Sequence, residues 1–416
     1  MKKNIVLLAA AAALLSGISC SRELESSAFL FYDSQVMEAN RQAIRSGVSC
    51  PSYDKLLADA DSLHGVEPKS VTLKTIVPPS GDKHDYMSQG PYWWPDPEQP
   101  DGLPYIRRDG ETNPEIKDLK DAGYMSRMAA DVNKLGLAYY FSGKKPYADK
   151  AAELLRVWFL NEDTRMNPNL NYGQRVPGIC EGRGIGIIDT FRLMDVLQGL
   201  ELLQGSECLS EDDMLALKGW FRKYRDWLLE SDNGKDENTQ PNNHGSSYDA
   251  QVAAFSLMVG DPEPGEIHMR DTTFYRFDQI DADGCQPREM ARTKSWNYCC
   301  SNLYYLAVLA KLGDRLGQDY WNYVNCNGVT LSAAVEYFFP IVSAEKTWPG
   351  QNINKGKGFD RLIAAIMMTA PHYDNASLWY DRIEDILKYC GKDCIDLARS
   401  PLCLEYLIPG YSPAAI

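Results

Sequence analysis

The chain has 416 residues, 44% of them hydrophobic and 24% charged, with a formal net charge of −14. These are the proportions of a soluble globular protein, and the acidity excludes the basic stripe of a nucleic-acid-binding protein. No overall field draws in an acidic polymer, so a site for one must be a local basic pocket.

The first residues read as a targeting segment. Lys2 and Lys3 form a basic start, Ile5 to Leu15 an apolar stretch, and Gly17-Ile18-Ser19 leads into Cys20. This is the pattern of an exported bacterial lipoprotein, outer-membrane or periplasmic: residues 1–20 form the signal, Cys20 carries the lipid anchor, and residues 21–27 are a polar tether. Residues 28–416 read as one domain, and no later segment is long and apolar enough to span a membrane.

Helical patterns dominate that domain. They are expected over Ser34–Arg45, Ser52–Leu63, Ala122–Tyr140 with Gly143 as the stop, Tyr147–Leu160 after Pro146, and Ile185–Leu203. Ser210 and Asp213 form a capping box for a helix reaching Leu229. Glu237 to Pro241 reads as a loop, and further helices are expected over Ser246–Val259, Trp296–Leu312, Leu331–Phe339, Leu362–Thr369 and Ser377–Tyr389. Val71 to Val77 is the one strand signal, ended by Pro78-Pro79. Pro78 to Pro114, rich in Pro and Gly, reads as a long ordered loop of functional character. The fold class is therefore all-α.

Of the 11 cysteines, Cys299-Cys300 are adjacent, and Cys390 and Cys394 are one helical turn apart; no His lies at ligand spacing, so no zinc pattern arises. Buried free thiols explain them as well as disulfides do.

Four groups stand out for their chemistry. Asn243 and His244 follow Gln240-Pro241-Asn242, and Arg292 and Tyr298 lie in the segment Arg288 to Tyr298. An amide and a guanidinium can hold a carboxylate and neutralise charge that develops on it. An imidazole or a phenol can take the adjacent proton and return one to a leaving oxygen. Asn243 also suits a helix N-cap, Asn242 is expected to be structural, and Glu289 is placed one turn before Arg292 to pair with its guanidinium. The six-residue step from Arg292 to Tyr298 needs a break near Ser295 to bring both into one cleft. Tyr92, Trp93 and Trp94, between Pro91 and Pro95, cannot all face inward from one regular element.

These two segments, with Gln89-Gly90-Pro91-Tyr92-Trp93-Trp94-Pro95-Asp96-Pro97 and Asn171-Tyr172-Gly173-Gln174 running into Gly182-Arg183-Gly184-Ile185-Gly186, resemble in order the alginate lyase superfamily of polysaccharide lyases, families 5 and 38 above all. His244 is followed by Gly245-Ser246-Ser247, where the family 5 pattern has a hydroxyl residue and then aromatics. The resemblance implies an (α/α) toroid of helix pairs with a cleft at one end, and metal- and cofactor-independent β-elimination on an anionic polysaccharide such as alginate or glucuronan. Tyr298, His244, Asn243 and Arg292 are then the catalytic residues, with the Tyr298 phenolate favoured by the Arg292 guanidinium. Gln174, Tyr92, Trp93, Trp94, Arg183 and Glu289 are the substrate contacts. Lys294, Arg175 and Arg183 are expected to join Arg292 in the basic pocket. Two other classes compete: a glycan-binding surface lipoprotein relying on Trp93 and Trp94, and a glycoside hydrolase using two carboxylates such as Asp249 and Glu289.

Overall fold

The computed structural model describes residues 29–353, 358–374 and 376–390. Cys20, the tether and Cys394 lie outside them. The first helices are α1 (Ser34–Arg45), capped by the Asp33 side chain, and α2 (Pro51–Asp61). The expected strand at Val71 is instead a single 3-10 turn, Val71–Leu73. Val71 enters the core and Lys74 turns inward to form a buried ion pair with Asp121 at 2.7 Å, while Ile76 and Val77 stay exposed.

The loop that follows carries β1 (Met87–Gln89), β2 (Trp93–Trp94) and β3 (Ile106–Arg107). β2 and β3 pair antiparallel, with Trp93 opposite Arg107 and Trp94 opposite Ile106. β1 pairs in parallel with β4 (Tyr172–Arg175).

Between them, α3 (Asp121–Ser142) ends on Gly143 in the left-handed conformation, as its sequence predicts, and α4 (Lys145–Leu155) continues as a π turn over Arg156–Leu160. The single helix expected over Ile185–Leu203 is divided into a 3-10 segment, Gly184–Arg192, and α5 (Leu193–Leu202). Side chains take over the first part: the Ile187 carbonyl accepts from Thr190 Oγ1 at 2.8 Å and from Gln251 Nε2 at 3.3 Å. The capping box of Ser210 and Asp213 starts α6 (Glu211–Glu230).

Residues read as polar loop form part of a short helix, α7 (Asp232–Asn238), started by the Ser231 side chain on the Gly234 amide. Next come α8 (Asn243–Met258), α9 (Glu263–His268), a π segment over Met269–Thr273, α10 (Phe274–Phe277), α11 (Pro287–Met290) and α12 (Ser295–Leu316). The described part ends with α13 (Leu331–Glu336), α14 (Phe339–Val342), α15 (Phe359–Thr369) and α16 (Ala376–Cys390).

α3 packs on α4 and α5, α8 on α6, α9 and α12, and α12 on α15, giving the expected all-α toroid of helix pairs. α8 and α12 bury residues on every side, polar ones included, as helices enclosed within the fold must. The thiols of Cys50, Cys180, Cys208, Cys285, Cys299, Cys300 and Cys326 are free, and Cys299 and Cys300 are buried in α12. The start of α12 is fixed by Trp296, which sits within 5.2 Å, ring centre to ring centre, of Phe338, Trp348 and Phe359. Ser295 ties the same point to the Gln351 carbonyl through both its amide and its hydroxyl.

Candidate active site

The site lies where the N-termini of α8 and α12 meet the long loop. Asn242, not Asn243, is the N-cap of α8: its side chain accepts from the His244 amide at 3.2 Å. That frees the Asn243 side chain, which is buried and gives both its backbone N–H and its Nδ2 to Glu289, each at 2.7 Å. Nδ2 carries two hydrogens, so one remains for a ligand. Glu289 is 1% exposed and stands behind Asn243, not against the cleft. Burial pushes its carboxyl up, and the Asn243 hydrogen bonds work against that shift.

His244 points Nδ1 at Glu237 Oε1, 2.8 Å away. A carboxylate only accepts, so Nδ1 is the donor and Nε2 is the nitrogen left with a lone pair. Two close approaches make this placement possible. A Cβ on Gly245 would collide with the Gln240 carbonyl and the Arg276 guanidinium. A Cβ on Gly184 would stand 2.8 Å from the Glu237 amide.

Arg276 is itself an anchor. Nη1 and Nη2 donate to the carbonyls of Gln240 and Asn238, both at 2.7 Å, while Nε reaches Asp249 at 2.9 Å. The π segment lets His268, Thr273 and Arg276 converge on that one carboxylate. Burial opposes the Asp249 charge, yet His268 and Arg276 hold its carboxyl below the usual range. Asp249 and Glu289 are therefore both enclosed and hydrogen-bonded, which corrects their reading as a pair of hydrolytic carboxylates.

α11 ends at Met290 and α12 starts at Ser295, which is the break the Arg292–Tyr298 spacing requires. Arg292 Nη2 donates to Tyr298 Oη at 3.0 Å, with the guanidinium carbon 4.1 Å from the ring centre. The carboxylate that hydrogen-bonds Arg292 is Asp109 of the long loop, at 2.9 Å, rather than Glu289. Burial disfavours the Asp109 charge, but Arg292 and Thr293 outweigh it and hold the carboxyl well below its ordinary range.

Tyr298 Oη also meets Tyr92 Oη at 2.7 Å. Burial and the Tyr92 phenol push the Tyr298 pKa up despite Arg292. The expected phenolate is thus corrected: Tyr298 holds its proton, because lost hydration outweighs one guanidinium that is already shared with Asp109.

Tyr92, Trp93 and Trp94 are all half-buried. Lys294 lies 4.9 Å from the Tyr92 ring centre, Arg183 5.7 Å from Trp93 and Arg108 5.3 Å from Trp94. Arg175 is on β4 beside them, 3.9 Å from Glu181. These four cations thus surround the aromatic residues of the long loop.

Gln174 is 8% exposed and adopts φ 45°, uncommon for a residue with a side chain. Its Nε2 donates to Asp189 at 3.0 Å, and its Oε1 accepts from Arg183 at 3.2 Å. With Ser88, Pro91, Lys117 and Lys120 it lines a cavity of about 490 Å³ beside Tyr92.

Glu237 and Asp109 were not singled out from the sequence. Asp109 lies 183 positions from Arg292, and nothing local marks it. Glu237 lies 7 positions before His244, across a turn that breaks any helical register.

Residues 70–348 match the alginate lyase family. Among solved structures, an alginate lyase from Bacteroides ovatus aligns with a TM-score of 0.81 and 34% identity over 91% of this chain and 99% of that one. Variants of alginate lyase A1-III from Sphingomonas species A1, each complexed with a tetrasaccharide, share the fold with TM-scores of 0.53 and 0.52, at 15% and 14% identity, over 91% of this chain and 94% of theirs. No curated protein matches this chain in sequence. The chain belongs to the alginate lyase family. It is a polysaccharide lyase, an enzyme rather than a carbohydrate-binding protein.

Gly245→Ala is expected to lower stability by about 2–3 kcal/mol in urea unfolding, the scale of overpacking. It is also expected to reduce turnover by roughly 10²-fold, because Asn243 and His244 move with the displaced turn.

Proposed function

We propose that this lyase cleaves a polyuronate, alginate or glucuronan, by β-elimination that leaves a 4,5-unsaturated uronate end. The observation that carries the reading is the Arg292–Tyr298 hydrogen bond at 3.0 Å, set beside Asn243 and His244 through Glu289. Arg292 and the second Nδ2 hydrogen of Asn243 engage the substrate carboxylate and take up the charge that forms when the C5 proton leaves. The half-buried aromatics Tyr92, Trp93 and Trp94 offer faces for sugar rings. The alginate lyases that share this fold make alginate the first substrate to test.

The roles of acid and base follow from the surroundings of Tyr298 and His244. Tyr298 holds a proton and His244 Nε2 has a free lone pair. Where the C5 proton and O4 lie on opposite faces of the ring, as in guluronate, His244 takes the proton and Tyr298 delivers its own to O4. In mannuronate and glucuronate both lie on one face. Tyr298 then serves twice: its proton first passes to solvent as the carboxylate contacts form, its phenolate takes the C5 proton as the C5–H pair becomes the C4–C5 double bond, and that proton goes on to O4 as the C4–O4 bond breaks. The N-terminal pattern ending in Cys20 supports an exported, membrane-tethered enzyme.

Ultraviolet absorbance of the unsaturated product, followed on polymannuronate, polyguluronate, glucuronan, hyaluronan and pectate, tests the proposal. A rise on one or more of the first three is expected, and chain shortening without absorbance overturns it. Tyr298→Phe is expected to abolish turnover, a loss of at least about 10²–10⁴-fold, while oligosaccharide binding by calorimetry persists. Asn243→Ala is expected to lose roughly 10²–10³-fold in kcat, the scale of one oxyanion donor; a change confined to KM reduces Asn243 to a binding role.

A further inference from the structure

The carboxylates enclosed around the cleft differ in how fully they are satisfied. Asp249 accepts from His268, Thr273 and Arg276. Asp189 accepts from Tyr86, Ser88 and Gln174. Glu289 accepts twice from Asn243. Each is held by two or more hydrogen bonds, as a structural anion must be.

Glu237 is different. Its side chain is 0% exposed, its Oε1 meets His244 Nδ1 at 2.8 Å, and its Oε2 is buried with no hydrogen-bond partner among the described residues. Burial pushes the Glu237 carboxyl up, and His244 works against that shift, so the charge of Glu237 leans on this one donor in a medium that screens poorly. His244, by contrast, keeps 14% of its side chain open.

The other charged and titratable groups around this pair do not replace it. Asp236 shares the helix with Glu237. Arg183, just before the 3-10 segment, and Asp189 on it face Glu237, with Arg183 bound to Gln174 and Asp189 to its own three donors. Tyr224 of α6 and Tyr248 of α8 are hydrogen-bonded elsewhere, to Thr190 and to the Leu228 carbonyl. Glu289 lies toward His244 but is occupied by Asn243.

We propose that Glu237 is a positioning residue for the elimination, acting through His244: it holds the Nδ1 proton, fixes the ring plane, and presents Nε2 to the C5 proton of the substrate. This rests on the polyuronate reading above. In the step it serves, Nε2 bonds to the C5 proton and the C5–H electron pair becomes the C4–C5 double bond. The C4–O4 bond breaks with its electrons on O4, and O4 takes the Tyr298 proton. The imidazolium left behind sits against the Glu237 anion, which stabilises it as it forms. The demand on Glu237 is greatest where His244 is the base, so it sets how well the enzyme handles guluronate relative to mannuronate.

Glu237→Gln retains the shape and an acceptor but removes the charge. On polyguluronate kcat is expected to fall on the order of 10²-fold, with KM little changed and a smaller loss on polymannuronate. Without the anion the ring is harder to protonate, so the acid limb of the kcat/KM profile moves to lower pH. Unchanged kcat overturns the proposal, and so does an equal loss on both polymers with the acid limb unmoved, the signature of general damage. The wild-type enzyme offers a readout that needs neither a folded variant nor turnover: ¹⁵N spectra of His244 are expected to show the proton on Nδ1, and a proton on Nε2 overturns the proposal. A wild type that eliminates on no uronan overturns the substrate reading instead, and the tautomer still reports on Glu237.

Discussion

Asn243 gives two hydrogen bonds to the buried carboxylate of Glu289, across 46 positions of sequence. Hydrogen bonds to a charged acceptor contribute roughly 1.5–3 kcal/mol each, and much of that offsets the cost of burying the anion. What they secure is relative position. The first turn of α8 carries Asn243 and His244, and the turn after Glu289 carries Arg292 and then Tyr298. Neither segment is held in register with the other by a backbone ladder. A catalytic group displaced by an ångström loses much of its effect, so the site depends on this joint between two helix ends. Arg276 and Asp249 brace it from the other side, by gripping the turn that leads into α8.

The long loop supplies what the helices cannot. It has little regular structure of its own, yet Tyr92 reaches the Tyr298 hydroxyl and Asp109 reaches Arg292. Both contacts occupy groups that a sugar acid would use. Tyr298 and Arg292 are thus both partnered by groups of the chain's own loop.

Much of this was readable in the residues. The α1 helix, the capping box at Ser210, the Gly143 stop and the break before Ser295 each rest on local stereochemistry, which a short stretch of sequence encodes. The motif residues Asn243, His244, Arg292 and Tyr298 were legible because their chemistry is distinctive. What escaped was long-range. Val71 joined the core rather than a strand because no neighbouring strand was there to pair with it. Asp232–Asn238 has no apolar stripe, and its helix is decided by the Ser231 cap and by packing against the segment at Gly184. The Tyr298 proton depends on burial and on Tyr92, 206 positions away, so the guanidinium visible in the sequence gave the wrong sign.

Gln174 bears on the economy of the pocket. Its left-handed backbone is a conformation that glycine adopts freely and that costs other residues about 1–3 kcal/mol. The chain keeps an amide there, between Asp189 on one side and Arg183 on the other. That amide acts as an insulator: it satisfies an anion and a cation at once while preventing them from closing into a direct ion pair. Arg183 thereby stays beside the Trp93 ring, its guanidinium held by Gln174 rather than by Asp189.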